Sequence, residues 1–266
     1  MERNRRIAVL IDADNVSEKY IKYILDELSN HGTPTYKRIY GDFTTPQLAA
    51  WKNVLLAYSI TPIQQYMYTY GKNATDAALI IDAMDILYSG NVDGFCIVSS
   101  DSDFTKLAAR LREAGMYVIG MGEKKTPTAF ISACEKFKYL EVLVPAAIVE
   151  EPPVVKTEKS EKNAKSPKKG QPAKAKPEVV KEKVEPPKGA MASIESISKA
   201  IKKIVNENSD EDNWISLSEV GNILNRRYPD FDSRNYGHAK LSNLIKSLGQ
   251  FEVELRNMNP FVRIKV

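Results

Sequence analysis

An apolar run that leads into two acids spaced two residues apart occurs twice in this chain. The runs cover residues 7–11 and 94–98. The acids that follow them are Asp12, Asp14, Asp101 and Asp103. Short apolar runs of this kind predict buried parallel strands, and ligands of open α/β sheets bind outside the carboxyl ends of such strands. We therefore expect these acids to face a site at the edge of a sheet.

The first 145 residues alternate strand-like and helix-like patterns. Strands are predicted at residues 7–11, 35–40, 61–68, 94–98, 116–120 and 137–142. Helices are predicted at residues 16–30, 46–58, 73–89, 104–114 and 127–135. Repeated β-α units predict a mainly parallel sheet with helices on both faces. The predicted fold class is therefore α/β, with three α/β/α layers.

The predicted helix at residues 73–89 carries three further acids. Asp76 falls in its first turn, where the helix dipole favours a carboxylate and the side chain can face the strand ends. Asp82 follows Asp76 by six residues and lies nearly two turns deeper. We place Asp76 in the site, keep Asp82 as a secondary candidate and interpret Asp85 as a solvated or capping acid. A simple helix-start charge explains the position of Asp76 equally well.

Clustered carboxylates at two strand ends and one helix start predict a divalent cation site. Mg²⁺ and Mn²⁺ prefer oxygen ligands, and carboxylates that repel one another when empty favour cation uptake. Such an ion polarises a phosphoryl oxygen and lowers the pKa of a bound water. Each acid pair alone is weak evidence, because aspartate is common in β-to-α turns and caps helices well. Asp14 and Asp103 are both N-cap candidates.

The net charge of +4 arises mainly in one segment. Residues 1–150 carry 16 basic and 18 acidic side chains, and residues 191–266 carry 11 and 10. Residues 151–190 carry 11 lysines, 6 glutamates, 7 prolines and no aromatic residue. Such a composition buries too little apolar surface to fold, which predicts a disordered tether. A solvated spacer is the simpler interpretation, although its lysines can attract phosphates non-specifically.

The last 76 residues predict a small winged helix. Helices are predicted at residues 193–206, 218–227 and 241–248, with Ser193 as an N-cap candidate. Alternating residues at 251–255 and 261–266 predict a terminal hairpin. Basic and acidic side chains nearly balance in this segment, so it lacks the strong positive charge that is typical of nucleic-acid-binding domains. RNA binding and protein docking therefore stay open for this module.

Few residues are available for disulfide or histidine chemistry. Cys96 and Cys134, the only two cysteines, form neither a disulfide framework nor a zinc signature, so we expect a reducing, cytoplasmic setting. The two histidines, His31 and His238, disfavour a zinc site or histidine-based hydrolysis. No apolar run is as long as the roughly 18 residues of a membrane span, and no signal peptide is recognisable. We expect no membrane association.

Three motifs resemble the NYN domain of the PIN-like ribonuclease superfamily. They lie at residues 9–15, 72–85 and 99–104, and the resemblance covers about residues 5–145. It implies a metal-dependent endoribonuclease whose acidic cluster holds Mg²⁺ or Mn²⁺. The metal-binding and catalytic carboxylates that it implies are Asp12, Asp76, Asp101 and Asp103. It also implies that Asn15 and Ser99 are supporting polar groups, and Ser100 stands where many members have glycine.

Motifs in the last third of the chain resemble the OST-HTH/LOTUS domain. They lie at residues 214–218, 228–231 and 236–241. That family is linked to RNA binding or to docking a helicase partner. The predicted organisation is an NYN domain at residues 1–146, a Lys/Pro-rich linker at residues 147–190 and a LOTUS winged helix at residues 191–266. Weaker candidates for contact with RNA or a protein partner are Lys72, Arg234, Lys240 and Lys246.

Three functions are compatible with these patterns. The first is an endoribonuclease that cleaves RNA with metal-activated water, guided by the tethered module. The second is an RNA-binding or adaptor protein with a silent PIN-like domain, which the near-neutral folded segments favour. The third, a small-molecule phosphatase or nucleotide-binding domain, is disfavoured because no glycine-rich phosphate loop follows the first strand.

Overall fold

The larger part of the protein is built on a six-stranded sheet. The structure, a computed structural model, describes residues 4–66, 74–144, 191–210, 212–256 and 258–265. The strands are β1 (Arg6–Asp12), β2 (Thr33–Gly41), β3 (Thr61–Gln64), β4 (Gly94–Val98), β5 (Tyr117–Gly122) and β6 (Lys136–Tyr139). They lie in the order β3-β2-β1-β4-β5-β6. The sheet was predicted to be mainly parallel, and all five strand pairs described are parallel.

Helices cover both faces of this sheet. They are α1 (Ile21–Leu28), α2 (Lys52–Leu55), α3 (Ala74–Ser89), α4 (Thr105–Glu113), α5 (Thr128–Ala133) and α6 (Leu140–Leu143). On one face Leu79 of α3 and Phe130 of α5 pack with Leu10 of β1. On the other face Ile24 of α1 packs with Val9. Because each buried apolar side chain contributes roughly 1.5–3 kcal/mol, both faces of β1 stabilise the fold. The predicted α/β class with three layers is confirmed.

Two predicted strands are shorter than expected because their partners end. β3 stops at Gln64, which pairs with Gly41 at the end of β2. The Gln65 amide still donates to the Gly41 carbonyl at 3.0 Å, but residues 65 and 66 are not part of the strand, and residues 67–73 lie outside the described part. β6 stops at Tyr139, opposite Gly122 at the end of β5, and the chain continues as α6.

Two predicted helices begin as 3-10 helices instead of α-helices. The first is Glu18–Tyr20 before α1, and the second is Pro46–Trp51 before α2. Neither Ser17 nor Thr45, at the two N-cap positions, makes a side-chain capping hydrogen bond. In both turns i→i+3 backbone bonds satisfy the first amides instead.

The two cysteines are buried on opposite faces of the sheet. Cys96 of β4 lies in the core beneath α1, and Cys134 lies in the core beneath α3 and α5. Both are free thiols, and burial raises the pKa of Cys134 to about 12. The pKa of the Cys96 thiol is also raised, chiefly by burial.

The C-terminal segment forms a small helical domain with an antiparallel sheet. Its elements are α7 (Ile194–Asn208), β7 (Ile215–Ser216), α8 (Leu217–Arg227), α9 (Leu241–Ser247), β8 (Phe251–Arg256) and β9 (Asn259–Ile264). The strand order is β7-β9-β8. Ser193 caps α7 by accepting the Ser196 amide hydrogen at 3.2 Å, as predicted. The three helices and the hairpin of the predicted winged helix are present.

The segment that follows α8 covers the open edge of the large sheet. The Phe137 amide of β6 donates to the Pro229 carbonyl at 2.8 Å, and the Tyr139 hydroxyl donates to Asp230 at 2.9 Å. An exposed strand edge is a template for unwanted pairing, and this contact occupies it. Lys138 also binds Asp232, with 2.6 Å between Nζ and Oδ2.

A second group of charges extends this contact to α1. Arg234 binds Glu27 at 3.1 Å and Asp232 at 2.7 Å. Burial alone would raise the pKa of Glu27, but the neighbouring His31, 3.7 Å away, and the cations Lys138 and Arg234 lower it to about 2. The contact between the two parts of the chain is therefore largely ionic and partly buried.

None of the helices within the described ranges is both long and apolar enough to cross a membrane.

Candidate metal centre

The centre of the sheet is a point where the chain changes direction. β1 and β4 are neighbours, and the strands that follow them extend to opposite sides. Asp12 is the last residue of β1, and Asp101 follows β4 by three residues. Crevices at such switch points are where open α/β sheets bind ligands. The two acidic motifs therefore end at the same crevice.

Asp12 is fully buried and held by three donors. Its Oδ2 accepts hydrogen bonds from Asn15 Nδ2 at 2.7 Å and from Ser99 Oγ at 2.8 Å. Its Oδ1 accepts the Asp14 amide hydrogen at 3.1 Å. Burial raises the pKa of Asp12, and the hydrogen bonds from Ser99 and Asn15 oppose that rise. The two predicted supporting residues thus orient this carboxylate.

Asp101 and Asp103 lie on the turn between β4 and α4. The Asp101 amide donates to Ser99 Oγ at 3.0 Å, and its Oδ1 accepts the Asp103 amide hydrogen at 2.9 Å. Asp101 thereby caps the 3-10 helix Ser102–Phe104. The prediction that Asp103 is the capping acid is wrong, because the first helical turn begins two residues earlier than expected. Asp103 is exposed.

Asp76 approaches this turn from the first turn of α3. One carboxylate oxygen from each of Asp76, Asp101 and Asp103 lies within 4.8 Å of the other two. Partial burial, followed by the negative charges of Asp12 and Asp101, raises the pKa of Asp76 to about 6. Burial and the neighbouring negative charges therefore both disfavour the ionised form of this side chain. The structure therefore brings Asp76 to both strand ends.

The other acids of α3 lie outside this group. Asp82, the secondary candidate, binds Arg38 and the Tyr40 hydroxyl, both from β2. Since its charge is compensated there, Asp82 is a structural partner of β2. Asp85 is exposed, as a solvated acid is expected to be.

The predicted RNA or partner contacts lie in different environments. Lys72 lies outside the described residues. Lys240 and Lys246 are exposed on and before α9. Arg234 binds Glu27 and Asp232, so the interactions that the structure gives it are with acids of its own chain.

Two further acids follow strands of this sheet and were not singled out from the sequence. Asp42, directly after β2, accepts hydrogen bonds from Thr44 and Gln64. Glu123, directly after β5, binds Lys125 at 2.8 Å. Their position immediately after a strand is the sequence signal that could have identified them. The stated partners show that both take part in local contacts.

Comparison with known proteins agrees with this architecture. The family model of the NYN domain matches residues 6–141, just over half of the chain. The chain belongs to the NYN domain family. The OST-HTH/LOTUS domain model matches residues 192–262, so the NYN protein carries a second recognised module. The resemblances found in the sequence are confirmed for both families.

Two other comparisons add little to the NYN assignment. A search of curated proteins found no match. Among solved structures, a Vibrio parahaemolyticus protein of unknown function is 18% identical, with a TM-score of 0.42. The match covers 52% of the NYN protein and 93% of that chain.

The donor set of the NYN domain fits a hard divalent cation. Three carboxylates supply oxygen ligands, which Mg²⁺ and Mn²⁺ prefer, and Mg²⁺ needs only one or two carboxylates besides water and substrate oxygens. Bringing three negative charges within 4.8 Å is unfavourable without a cation. A bound ion would relieve the repulsion that raises the pKa of Asp76. In a cluster of this kind, metal binding and the loss of a proton are coupled.

Proposed function

We propose that this protein is a metal-dependent endoribonuclease that hydrolyses RNA phosphodiester bonds. The observation that carries the proposal is the convergence of Asp76, Asp101 and Asp103 at the switch point of an NYN domain. We assign metal binding to these three residues and to Asp12. The cofactor is Mg²⁺ or Mn²⁺.

The proposed chemistry divides between the ion and the chain. A bound divalent cation supplies a Lewis acid that polarises a phosphoryl oxygen and makes water a better nucleophile. Asp76, Asp101 and Asp103 hold that ion in the open crevice. Asp12 would complete the ligand set, and Asn15 and Ser99 keep its carboxylate in one orientation. Fixed ligands avoid reorganisation during the reaction.

The test compares the wild-type protein with Asp101→Asn on labelled RNA in the presence of Mn²⁺. Asparagine retains an oxygen that accepts the Asp103 amide hydrogen, so the turn keeps its cap while the charge is lost. We expect metal-dependent cleavage by the wild type and a loss of at least about a hundredfold in the variant. Asp85→Asn, which removes an exposed acid from α3, is the matched control and should cleave normally. Equal cleavage by wild type and Asp101→Asn contradicts the proposal.

The second domain gives the proposed nuclease a way to select its target. The OST-HTH/LOTUS family supports an RNA-binding role, and a protein-docking role is the alternative for this module. We propose that residues 1–146 and 191–266 work as nuclease and selector, joined by the linker at residues 147–190. Two free, buried thiols are compatible with a cytoplasmic location.

One observation favours a second candidate function, an RNA-binding adaptor with a silent NYN domain. Residues 1–150 carry 16 basic and 18 acidic side chains, which is not the charge of an avid nuclease. Calorimetric titration with Mn²⁺ separates the two functions. RNA binding with neither metal uptake nor turnover would favour the adaptor.

A further inference from the structure

A cleft lies between the two folded parts of the chain, away from the acidic cluster. Its volume is about 710 Å³, and it is bounded by the ends of α4 and α5, the start of β6 and the outer side of α8. Four of its lining side chains are cationic, namely Arg112, Lys136, Arg226 and Arg227, and one is acidic, Glu135. Residues 1–150 and 191–266 have net charges of only −2 and +1, so the cations are concentrated here.

Three of these cations lack an ionic partner in the described ranges. Arg227 binds Glu207 at 3.3 Å. Arg112, Lys136 and Arg226 take part in none of the ion pairs found among the described residues. Burial, followed by the nearby cation Lys138, lowers the pKa of Lys136. Lys136 is therefore a partly buried ammonium group whose charged form an anion would stabilise.

The cleft has the composition of a backbone-binding site. None of the residues that line it in the described structure is aromatic. Small-molecule sites are mostly apolar and aromatic, and sites that read bases stack them on aromatic rings. Arginine and lysine side chains that contact phosphates give affinity without reading sequence. Asn222 and Asn225 add amide groups beside the arginines of α8.

We propose that this cleft between the NYN and OST-HTH/LOTUS domains binds the phosphate backbone of single-stranded RNA. The proposal rests on the proposed function, because it takes RNA as the substrate. The volume lies within the roughly 300–1,000 Å³ of ligand pockets, which suits a short stretch of one strand. A double-stranded RNA site spans about 16 base pairs and needs a far longer surface.

Helix α4 connects this cleft to the acidic cluster. Asp103 precedes the helix and Arg112 lies in its last turn. Nine helical residues span about 14 Å, which is about four nucleotides at a stacked rise of about 3.4 Å. Lys106 and Arg110 are exposed on the same helix. One strand of RNA can thus contact the cleft while a bond several nucleotides away lies at the acids.

The experiment measures RNA binding separately from cleavage. Asp101→Asn protein, with a chelator present, is titrated against a labelled single-stranded RNA of about 20 nucleotides at several salt concentrations. The same titration is made after adding Arg112→Ala and Arg226→Ala together. We expect affinity to fall about tenfold. The magnitude of the slope of log K against log salt should decrease by about 1.4, because two phosphate contacts of about 0.7 each are lost.

Matched variants and competitors complete the test. Lys22→Ala with Lys52→Ala removes two exposed cations from α1 and α2 and should leave the affinity within about twofold. Cleavage of an RNA of about two nucleotides by the otherwise wild-type cleft variant should be unchanged, since a strand half as long as the separation does not reach both sites. Inorganic phosphate should compete only weakly with the long RNA.

Three results would overturn the proposal. They are an unchanged affinity and salt slope in the cleft variant, an equal loss in the Lys22→Ala, Lys52→Ala variant, and competition by inorganic phosphate as strong as that by RNA. The last would identify a site for small anions. Failure of the proposed function is distinguishable, because absent cleavage combined with cleft-dependent RNA binding leaves this inference intact.

Discussion

At the scale of single residues, Asp76 is placed for ligand binding at a cost to stability. Its pKa is raised to about 6, first by burial and then by neighbouring acids. The folded chain therefore binds this proton more tightly than the unfolded chain does. Its ionised form destabilises the metal-free protein above pH 6, and this effect is relieved as the pH falls from about 6 towards 4.

Asp76→Asn should therefore stabilise the metal-free protein at pH 8. After allowance for partial exposure we expect a gain of about 1 kcal/mol, shrinking towards zero by about pH 4. Urea unfolding with a chelator present, repeated at several pH values, measures it. The same variant should lose most of its stabilisation by Mn²⁺. Asp85→Asn is the control, and an equal gain from it would show that general charge reduction explains the effect.

Ser99 connects the two strand ends and offers a second test. Its hydroxyl donates to Asp12 and accepts the Asp101 amide hydrogen. Ser99→Ala leaves a fully buried carboxylate with one donor fewer, so we expect a loss of about 1–3 kcal/mol in unfolding free energy. We also expect Mn²⁺ affinity, measured by calorimetry, to fall about 10–100-fold. Ser102→Ala, at an exposed position of the same turn, should change neither quantity.

At the scale of elements, β6 shows how an edge strand is completed by another part of the chain. Its outward amide at Phe137 is satisfied by Pro229, and Lys138 binds Asp232 at 2.6 Å. The side chains of Lys138 and Asp232 are both less than a fifth exposed, so their charges interact with little screening. The contact holds the OST-HTH/LOTUS domain against the sheet.

A double-mutant cycle on Lys138 and Asp232 should reveal this coupling. We expect Lys138→Ala to cost about 1–3 kcal/mol, because Asp232 keeps Arg234 as a second partner. The coupling energy from the two alanine variants and their combination should exceed about 1 kcal/mol. Lys203→Ala breaks an exposed pair with Glu207 and should cost less than about 0.5 kcal/mol. Additive effects of Lys138→Ala and Asp232→Ala would show that the ion pair contributes nothing.

Local patterns predicted which elements exist, whereas tertiary partners determined where they end. The apolar runs before Asp12 and Asp101 identified β1 and β4, because buried parallel strands have a distinctive composition. The end of β3 depends on the end of β2, which a single-strand pattern does not contain. Asp82 was ambiguous for the same reason, since Arg38 and Tyr40 lie on a different element. The contacts of Lys138 join residues more than 90 positions apart, and in sequence they look like ordinary surface charges.

At the scale of the whole molecule, the two domains are held together by acids with lowered pKa values. The pKa of Glu27 is lowered to about 2. Burial would raise the pKa of Asp232, but Arg234 and Lys138 lower it. An acid with a lowered pKa stabilises the folded protein. This stabilisation is fully present at pH values above the pKa of the same acid in the unfolded chain. This stability is lost as the pH falls from about 4.5 through 2.

Domain contact should therefore be insensitive to pH between 8 and 5 and weaken only below about 4. The radius of gyration from small-angle scattering measures this, and it should increase at low pH before far-ultraviolet dichroism is lost. Lys138→Ala should move the expansion to higher pH. An expansion already complete at pH 6 would contradict the ionic account of the contact.

Because one thiol lies on each side of the sheet, cysteine labelling can detect local opening of the helix layer on each face. Both thiols are fully buried, so a sulfhydryl reagent reaches Cys134, which also lines the cleft, only when α5 or the cleft wall moves, and Cys96 only when the α1 layer opens. Labelling followed by peptide mass mapping would therefore time the opening of each layer separately. Because RNA bound in the cleft would sit beside Cys134, only that cysteine should become slower to label when RNA is added.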